Sequence, residues 1–595
     1  MSPTPCYHRP MSTPDSPVEW RADGLPGSRL YGDVYFSSED GLAESRAVFL
    51  AGCGLPGAWA NRRQFTVGEL GFGAGLNIAA LLTLWAETRP AGAHLSIFSI
   101  EAHPMAAADA ARALARWPDI QPAAAALIAG WPGPARGFHH LDLPAFGASL
   151  DLAVMDAAEA LTAWSGQADA WFLDGFAPAA NPAMWSPPLM AQVAARSAPG
   201  ARAATFTVAG AVRRGLAEAG FAVSKQPGFG RKRERTEAVF PGQAAEPPRP
   251  SVAIVGAGIA GAALARALRA RGLEPQLFDG AGPAAGASGN PAALMTPRLD
   301  AGDGPPARLF AQAFRHAVAA YGTVPGAILA RGARHLADGE KDAARHQRIA
   351  ASPLHDPGTL TPEPGGLIIH DGLVLDAAQL VQAWSGPVDR RAVAELAPSE
   401  TGWRLLDAAG QALAEVDAVV LCAGADNRAL AQLPLQPVRG QCTVARGAAI
   451  PQAVSFGGYA VPTRDGVLFG ATHQRDRTDT TVLAEDDQAN LALIATRLPD
   501  LAADLAARPL SSRAAIRAAT PDHLPLAGPV PGRPGLFVLS GFGGRGFCVA
   551  PLLADHLAAT LLGYPSPLPA DLADAVDPDR FRQRALKRTS PSPAR

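Results

Sequence analysis

The 595-residue chain is poor in several things, and each shortage excludes a class of protein. It has five cysteines, Cys6, Cys53, Cys422, Cys442 and Cys548, widely spaced, odd in number and without a C-x-x-C pair. That argues against a disulfide framework or a cysteine zinc site and fits a reducing compartment. No apolar run approaches the length of a membrane span. The first residues, MSPTPCYHRPMSTPDSP, lack the apolar core of a secretory signal, so residues 1–17 are expected to be a disordered leader and the protein cytoplasmic, with no membrane partner. The formal net charge is only −2 at pH 7, so any nucleic-acid contact needs a local basic patch. His139 and His140 are adjacent but carry no metal-ligand spacing; no metal is expected, and the pair is assigned no role. No obligate protein partner is evident.

What is present is apolar and long enough for more than one core: 48% of residues are hydrophobic and 18% charged. The clearest break is PGQAAEPPRPS at 241–251, whose prolines disfavour helix and central strand alike. A boundary near residue 248 gives two domains, 1–248 and 249–595.

The second domain opens on VAIVGAGIAGAALA. Val252 to Val255 read as a buried strand. Gly256 allows the tight turn, Gly258 lets backbone approach a pyrophosphate, and Gly261 lets the following helix pack on the strand. The helix N-terminus suits phosphates. The next strand, PQLFDG, ends in Asp279, about 20 residues on, where an acid meets a ribose hydroxyl. This predicts a dinucleotide-binding Rossmann fold but does not separate NAD from FAD.

GASGNPAALMTP at 286–297, VDAVVLCAGADN at 416–427, IRAATPDHLPLAGPV at 516–530 and GLFVLSGFGGRGFCVAPLLADHLA at 535–558 resemble the D-amino-acid oxidase and glycine oxidase class of FAD enzymes. The resemblance implies FAD as cofactor and a D-amino-acid-oxidase-like substrate domain. Ser288 and Asn290 would lie near the flavin diphosphate, Ala423 and Gly424 at a strand end against the cofactor, and the turn containing Gly544 near the isoalloxazine. It implies oxidation of a carbon–nitrogen bond beside a carboxylate. An arginine matches a carboxylate with two parallel donors. Arg517 stands where the class carries such an arginine, and Arg545 is a second candidate; either also reads as an ordinary ion pair. Tyr459 reads first as an ordinary strand tyrosine, with a lining residue of the pocket as the other reading.

The first domain repeats the strand–glycine–helix logic with other spacing. QFTVGELGFGAGLNIAALLTLW places Gly71, Gly73 and Gly75 between a strand and an apolar helix, and HLSIFSIE ends in Glu101. This resembles the S-adenosylmethionine (SAM) methyltransferase fold, in which the loop makes room for the amino-acid part of SAM and the acid binds its ribose. SLDLAVMDAAEAL puts Asp156 at a strand end suited to the adenine side. ADAWFLDGFAPAANPAMW runs a strand into Asp174, where an acid can attract and deprotonate an amine before methyl transfer. Asp174 also reads as a turn or cap acid. The predicted fold class is α/β plus α+β: a doubly wound methyltransferase domain, then a Rossmann domain with its substrate domain.

The segments GDVYFSSEDGLAESRAVFL at 32–50, GELGFGAGLN, DGFAPAANPAMW and GFGRKRERTEAVF at 228–240, followed in order by the FAD half, resemble a family of bifunctional tRNA wobble-uridine modification enzymes across nearly the whole chain. Asp279 departs from the glutamate common there. The resemblance implies that the FAD half removes a carboxymethyl group from a carboxymethylaminomethyl substituent at uridine C5 and that the SAM half methylates the primary amine left behind. The partner is then tRNA, and Arg231, Lys232 and Arg233 are candidate phosphate contacts, or a solvated basic turn. Two other readings stand beside it: an amino-acid or secondary-amine oxidase fused to a small-molecule methyltransferase, and a non-catalytic RNA-binding scaffold.

Overall fold

The computed structural model describes residues 16–37, 39–230 and 232–589. Most of the proposed leader, and Arg231, therefore lie outside the described residues.

An eight-stranded sheet organises the first half. Its strands are β1 (Gln64–Leu70), β2 (His94–Ile100), β3 (Gly137–Leu143), β4 (Ala148–Val154), β5 (Ala168–Leu173), β6 (Ser197–Thr205), β7 (Ala222–Pro227) and β8 (Glu234–Val239). The order is β3-β4-β2-β1-β5-β6-β8-β7. The five central strands run parallel, and β3, β7 and β8 are antiparallel to their neighbours. Central strands of such a sheet are buried on both faces and so are largely apolar; β2 and β4 are buried at every position, the polar His94, Ser96, Ser99, Ser149 and Asp151 included. Helix α1 (Leu76–Thr88) follows β1, with Leu81, Leu82 and Trp85 in the core.

Residues 241–251 carry neither helix nor strand. A five-stranded sheet then forms from β9 (Val252–Val255), β10 (Gln276–Phe278), β11 (Ala418–Leu421), β12 (Leu526–Pro529) and β13 (Leu536–Ser540), in the order β10-β9-β11-β13-β12. All its pairs are parallel except the hairpin β12–β13. Helices α2 (Ile259–Ala270), α3 (Pro305–Gly322) and α4 (Gly546–Leu562) share one apolar core with it. A ten-stranded, largely antiparallel sheet completes this half, in which Gln436–Arg446 pairs along its length with Leu510–Ala519.

The halves meet where α3 packs on edge strand β3. The contact contains charge. Asp555 on α4 is fully buried and accepts from Arg266 (2.6 Å), Arg271 (3.0 Å) and His316 (2.9 Å). Arg266 also donates to Asp142 of β3, at 2.7 Å. Next to it, His140 lies between Asp151 (2.6 Å) and Asp142 (3.3 Å). Burial alone would discharge this imidazole, but the two carboxylates push its pKa up to about 10. His140, without a role in the sequence reading, is thus a buried imidazolium at the seam.

Candidate functional sites

In an open α/β sheet, ligands bind beyond strand ends where the strand order reverses. Each half has such a point. In the first, β1 is flanked by β2 and β5; in the second, β9 is flanked by β10 and β11.

At the first crevice the turn after β1 is built from left-handed glycines: Gly71, Gly73 and Gly75 have φ of +80°, +53° and +73°. A side chain at Gly71 would stand 3.1 Å from Gly175, on the loop after β5. Gly73 lies under the Tyr35 ring. Glu101, just past β2, accepts from the Gly73 N–H (3.0 Å) and the His103 N–H (2.9 Å), which puts an acid beside the glycine turn. The glycine turn and the acid fit the amino-acid and ribose ends of SAM. Asp156, two residues past β4, caps helix Ala157–Ala163, its Oδ1 accepting from the Ala158 and Glu159 N–H groups, and is exposed.

Asp174 follows β5 and is half-buried. Its Oδ1 accepts from the Gly175 N–H at 2.8 Å and its Oδ2 from Asn77 Nδ2, also at 2.8 Å. Burial pushes this carboxyl up to about 6, against those two donors. Behind it lies Glu69, fully buried, which accepts from Ser99 (2.6 Å) and Asn77 (3.2 Å); burial pushes its carboxyl up to about 8. Glu69 and Asn77 both stand in the quoted motif GELGFGAGLN, but only its glycines have a signal readable without the fold. Tyr31 stacks on Phe176 with centroids 4.8 Å apart, Tyr35 meets the same ring edge-on at 5.4 Å, and Ala177 N–H donates to Asp33 at 3.0 Å. The segment before β1 thus holds the loop that carries Asp174.

The basic cluster divides. Lys232 donates to Glu44 at 2.7 Å and lies 4.2 Å from the Phe206 ring centre, so it is engaged at the rim of this crevice. Arg233 is exposed.

At the second crevice Gly256 has φ +108°, and a Cβ there would stand 2.6 Å from the Cys422 carbonyl carbon. A Cβ on Gly261 would strike the Gly256 oxygen. Gly258 begins α2, with Ser288 Oγ 3.1 Å from where its Cβ would lie; the same hydroxyl accepts from Ile259 N–H at 2.9 Å. Asp279 accepts from Ala257 N–H (2.8 Å), Ala281 N–H (3.0 Å) and Gly282 N–H (2.9 Å), holding its own turn beside the glycine turn. Gly424 and Gly543 have positive φ, and no atom lies within 4 Å of a Cβ on either. This open cradle of glycine backbone, with an acid at the end of β10, fits FAD. Asn290 is farther along the loop and accepts from Arg513 at 2.8 Å.

Arg517 and Arg545 separate. Arg517 anchors one nitrogen on the Thr472 carbonyl at 3.1 Å, and another lies 3.8 Å from a Cβ position on Gly544. Tyr459 lies near enough for the Arg517 charge to oppose the upward push that burial gives its phenol. Arg545 is held by Thr296, through its carbonyl (3.1 Å) and its hydroxyl (2.7 Å).

A family model described as S-adenosyl-L-methionine-dependent methyltransferase matches residues 118–241, and one described as FAD dependent oxidoreductase matches 251–560. The chain is 59% identical over 598 residues to the tRNA 5-methylaminomethyl-2-thiouridine biosynthesis bifunctional protein MnmC of a Caulobacter species, covering 96% of this chain and 99% of that one. It is 44% identical over 587 residues to the protein of the same name from Maricaulis maris, covering 96% and 97%. Among solved structures, glycine oxidase from Geobacillus kaustophilus aligns over 53% of this chain and 95% of its own, at 25% identity and a TM-score of 0.45.

Proposed function

The chain belongs to the MnmC family of bifunctional proteins, a SAM-dependent methyltransferase joined to an FAD-dependent oxidoreductase, and from that premise we propose that it performs two consecutive reactions on the wobble uridine of tRNA in the cytoplasm. Among the described residues, no helix is long and apolar enough to cross a membrane. The oxidoreductase is assigned residues 249–595 and the methyltransferase 1–248.

The first reaction removes the carboxymethyl group of a 5-carboxymethylaminomethyl-(2-thio)uridine. FAD, when bound, accepts the two electrons and a proton from the methylene beside nitrogen. The resulting carbon–nitrogen double bond takes up water, releases glyoxylate and leaves a primary aminomethyl group. Arg517 binds the substrate carboxylate: its anchored guanidinium beside Gly544 supports this, since a pre-oriented fork loses little freedom on pairing. Glycines 256, 258, 261, 424 and 544, with Asp279, Ser288 and Asn290, are the proposed cofactor contacts. Arg545, held on Thr296, is the second candidate for the substrate side.

The second reaction methylates that amine. SAM, when bound, supplies the methyl group. Gly71, Gly73, Gly75, Glu101 and Asp156 are the proposed contacts to it. The amine must lose its proton before attack, and an alkyl ammonium with a pKa of about 10.4 holds that proton at neutral pH. Asp174, with its carboxyl at about 6, is ionised at pH 7, so it attracts the ammonium and accepts the proton.

The observation that carries this reading is the presence on one chain of two strand-order reversals, each with a glycine turn and an acid. Undermodified tRNA incubated with the protein, with and without SAM, tests it by nucleoside mass analysis. Aminomethyl-uridine is expected without SAM and methylaminomethyl-uridine with it. Turnover of free glycine with no change in tRNA would favour an amino-acid oxidase instead.

A further inference from the structure

We propose that Asn77 is a positioning residue for methyl transfer, its side-chain amide holding Asp174 in the orientation in which the carboxylate meets the amine. The inference rests on the reading that Asp174 receives that amine.

Asn77 lies in the first turn of α1, directly after the glycine turn, and is only 7% exposed. An amide here would be tolerated only if its polar atoms were satisfied, and they are. Nδ2 donates to Asp174 Oδ2 at 2.8 Å and to Glu69 Oε1 at 3.2 Å, which uses both hydrogens. Oδ1 accepts from Ser45 Oγ at 2.7 Å. This fixes which way the amide faces: turned over, it would set its oxygen against two carboxyl groups.

Three elements converge on Asn77: β1 through Glu69, helix Gly41–Ser45 through Ser45, and the loop after β5 through Asp174. The Gly175 N–H anchors the other oxygen of Asp174 at 2.8 Å. With both oxygens gripped from the protein side, rotation of the carboxylate is blocked and its remaining lone pairs are left for the substrate. Proximity and orientation supply much of the advantage in a transfer of this kind.

The titratable groups facing Asp174 are Glu69 of β1, Glu44 of helix Gly41–Ser45, and Lys232 of the turn before β8, which pairs with Glu44. The Asn77 donor favours the ionised carboxylate. Without it, burial and the neighbouring acids shift protonation of Asp174 to higher pH.

The test uses full-length holoenzyme, tRNA bearing the primary aminomethyl group, and methylation rates against pH. Asn77→Ala and Asn77→Asp are expected to lower kcat about tenfold to a hundredfold, the range for losing a hydrogen bond to a charged group. The acid limb should move to higher pH, with KM for SAM, flavin absorbance and carboxymethyl removal kept. Ser45→Ala leaves Asn77 in place and removes only its orienting hydroxyl; a smaller loss with the same limb shift is expected. It decides the matter should the Asn77 variants fail to bind SAM. Unchanged kcat, or a loss confined to KM for SAM with an unmoved acid limb, overturns the inference. Normal methylation by Asp174→Ala overturns the parent reading instead. An inactive Asp174→Ala beside a normal Asn77→Ala overturns this inference alone.

Discussion

Gly256 and Gly258 are two residues apart and should respond differently to a side chain. A Cβ on Gly256 collides with backbone just past β11 and is strained at φ +108°, so Gly256→Val should lose stability as well as flavin. A Cβ on Gly258 meets only the Ser288 side chain, its hydroxyl at 3.1 Å, in an unstrained backbone. Gly258→Val should therefore fold, remain colourless and still methylate tRNA supplied with the primary amine. Absorbance near the flavin bands and a thermal melt check both; normal flavin absorbance in Gly258→Val would remove the assignment of this turn to the cofactor. The two arginines offer a second contrast. Arg517→Ala should impair carboxymethyl removal by roughly 2–5 kcal/mol in activation free energy while sparing methylation, because only the first substrate has a carboxylate. Equal loss of both activities would indicate misfolding.

The segment before β1 is joined to the loop after β5 by Asp33 and by the rings of Tyr31, Tyr35 and Phe176. Asp33→Ala should loosen the Asp174 loop and lower methylation by about 1 kcal/mol, the net worth of one hydrogen bond, without touching flavin chemistry. Parallel assays of the two half-reactions measure this. In the turn before β8, a cation that pairs with a tRNA phosphate adds about one unit to the salt dependence of binding. Arg233→Ala should remove that unit. Lys232→Ala should change the slope less, since Lys232 is already paired with Glu44. The elements differ in how plainly they are written in the chain. Glycine turns are legible because a left-handed φ or a close approach leaves few other residues possible. Asp174 and Glu101 are legible because they end apolar strands. Asn77 is not, since its partners are brought together by strand order and helix packing from three stretches of sequence. The ten-stranded sheet is equally hidden: Gln436–Arg446 finds its partner in Leu510–Ala519, and no local pattern announces that pairing. Asp156 also follows an apolar strand, and one of its two oxygens caps its own helix.

The seam between the halves joins three carboxylates, Asp142, Asp151 and Asp555, to Arg266, Arg271 and a protonated His140, with His316 also bonded to Asp555. A buried network of this kind adds little over apolar packing but is sensitive to removal of one member. Asp555→Ala would leave Arg266 and Arg271 without their shared acceptor and should destabilise the chain by about 3–5 kcal/mol, measured by denaturant unfolding. His140 gives the seam a pH dependence of definite sign. Its folded pKa, about 10, lies above the value of about 6.5 for an unfolded histidine. The folded state therefore holds a proton that the unfolded state releases first. The stabilisation is complete below about pH 6.5 and is lost as pH rises toward 10, with a slope of at most about 1.4 kcal/mol per pH unit from this one group. His140→Gln cannot hold the proton, so the stability difference between wild type and variant should shrink as pH rises through that window. A difference that stays constant from about pH 6 to 10 would mean that His140 is neutral at the seam.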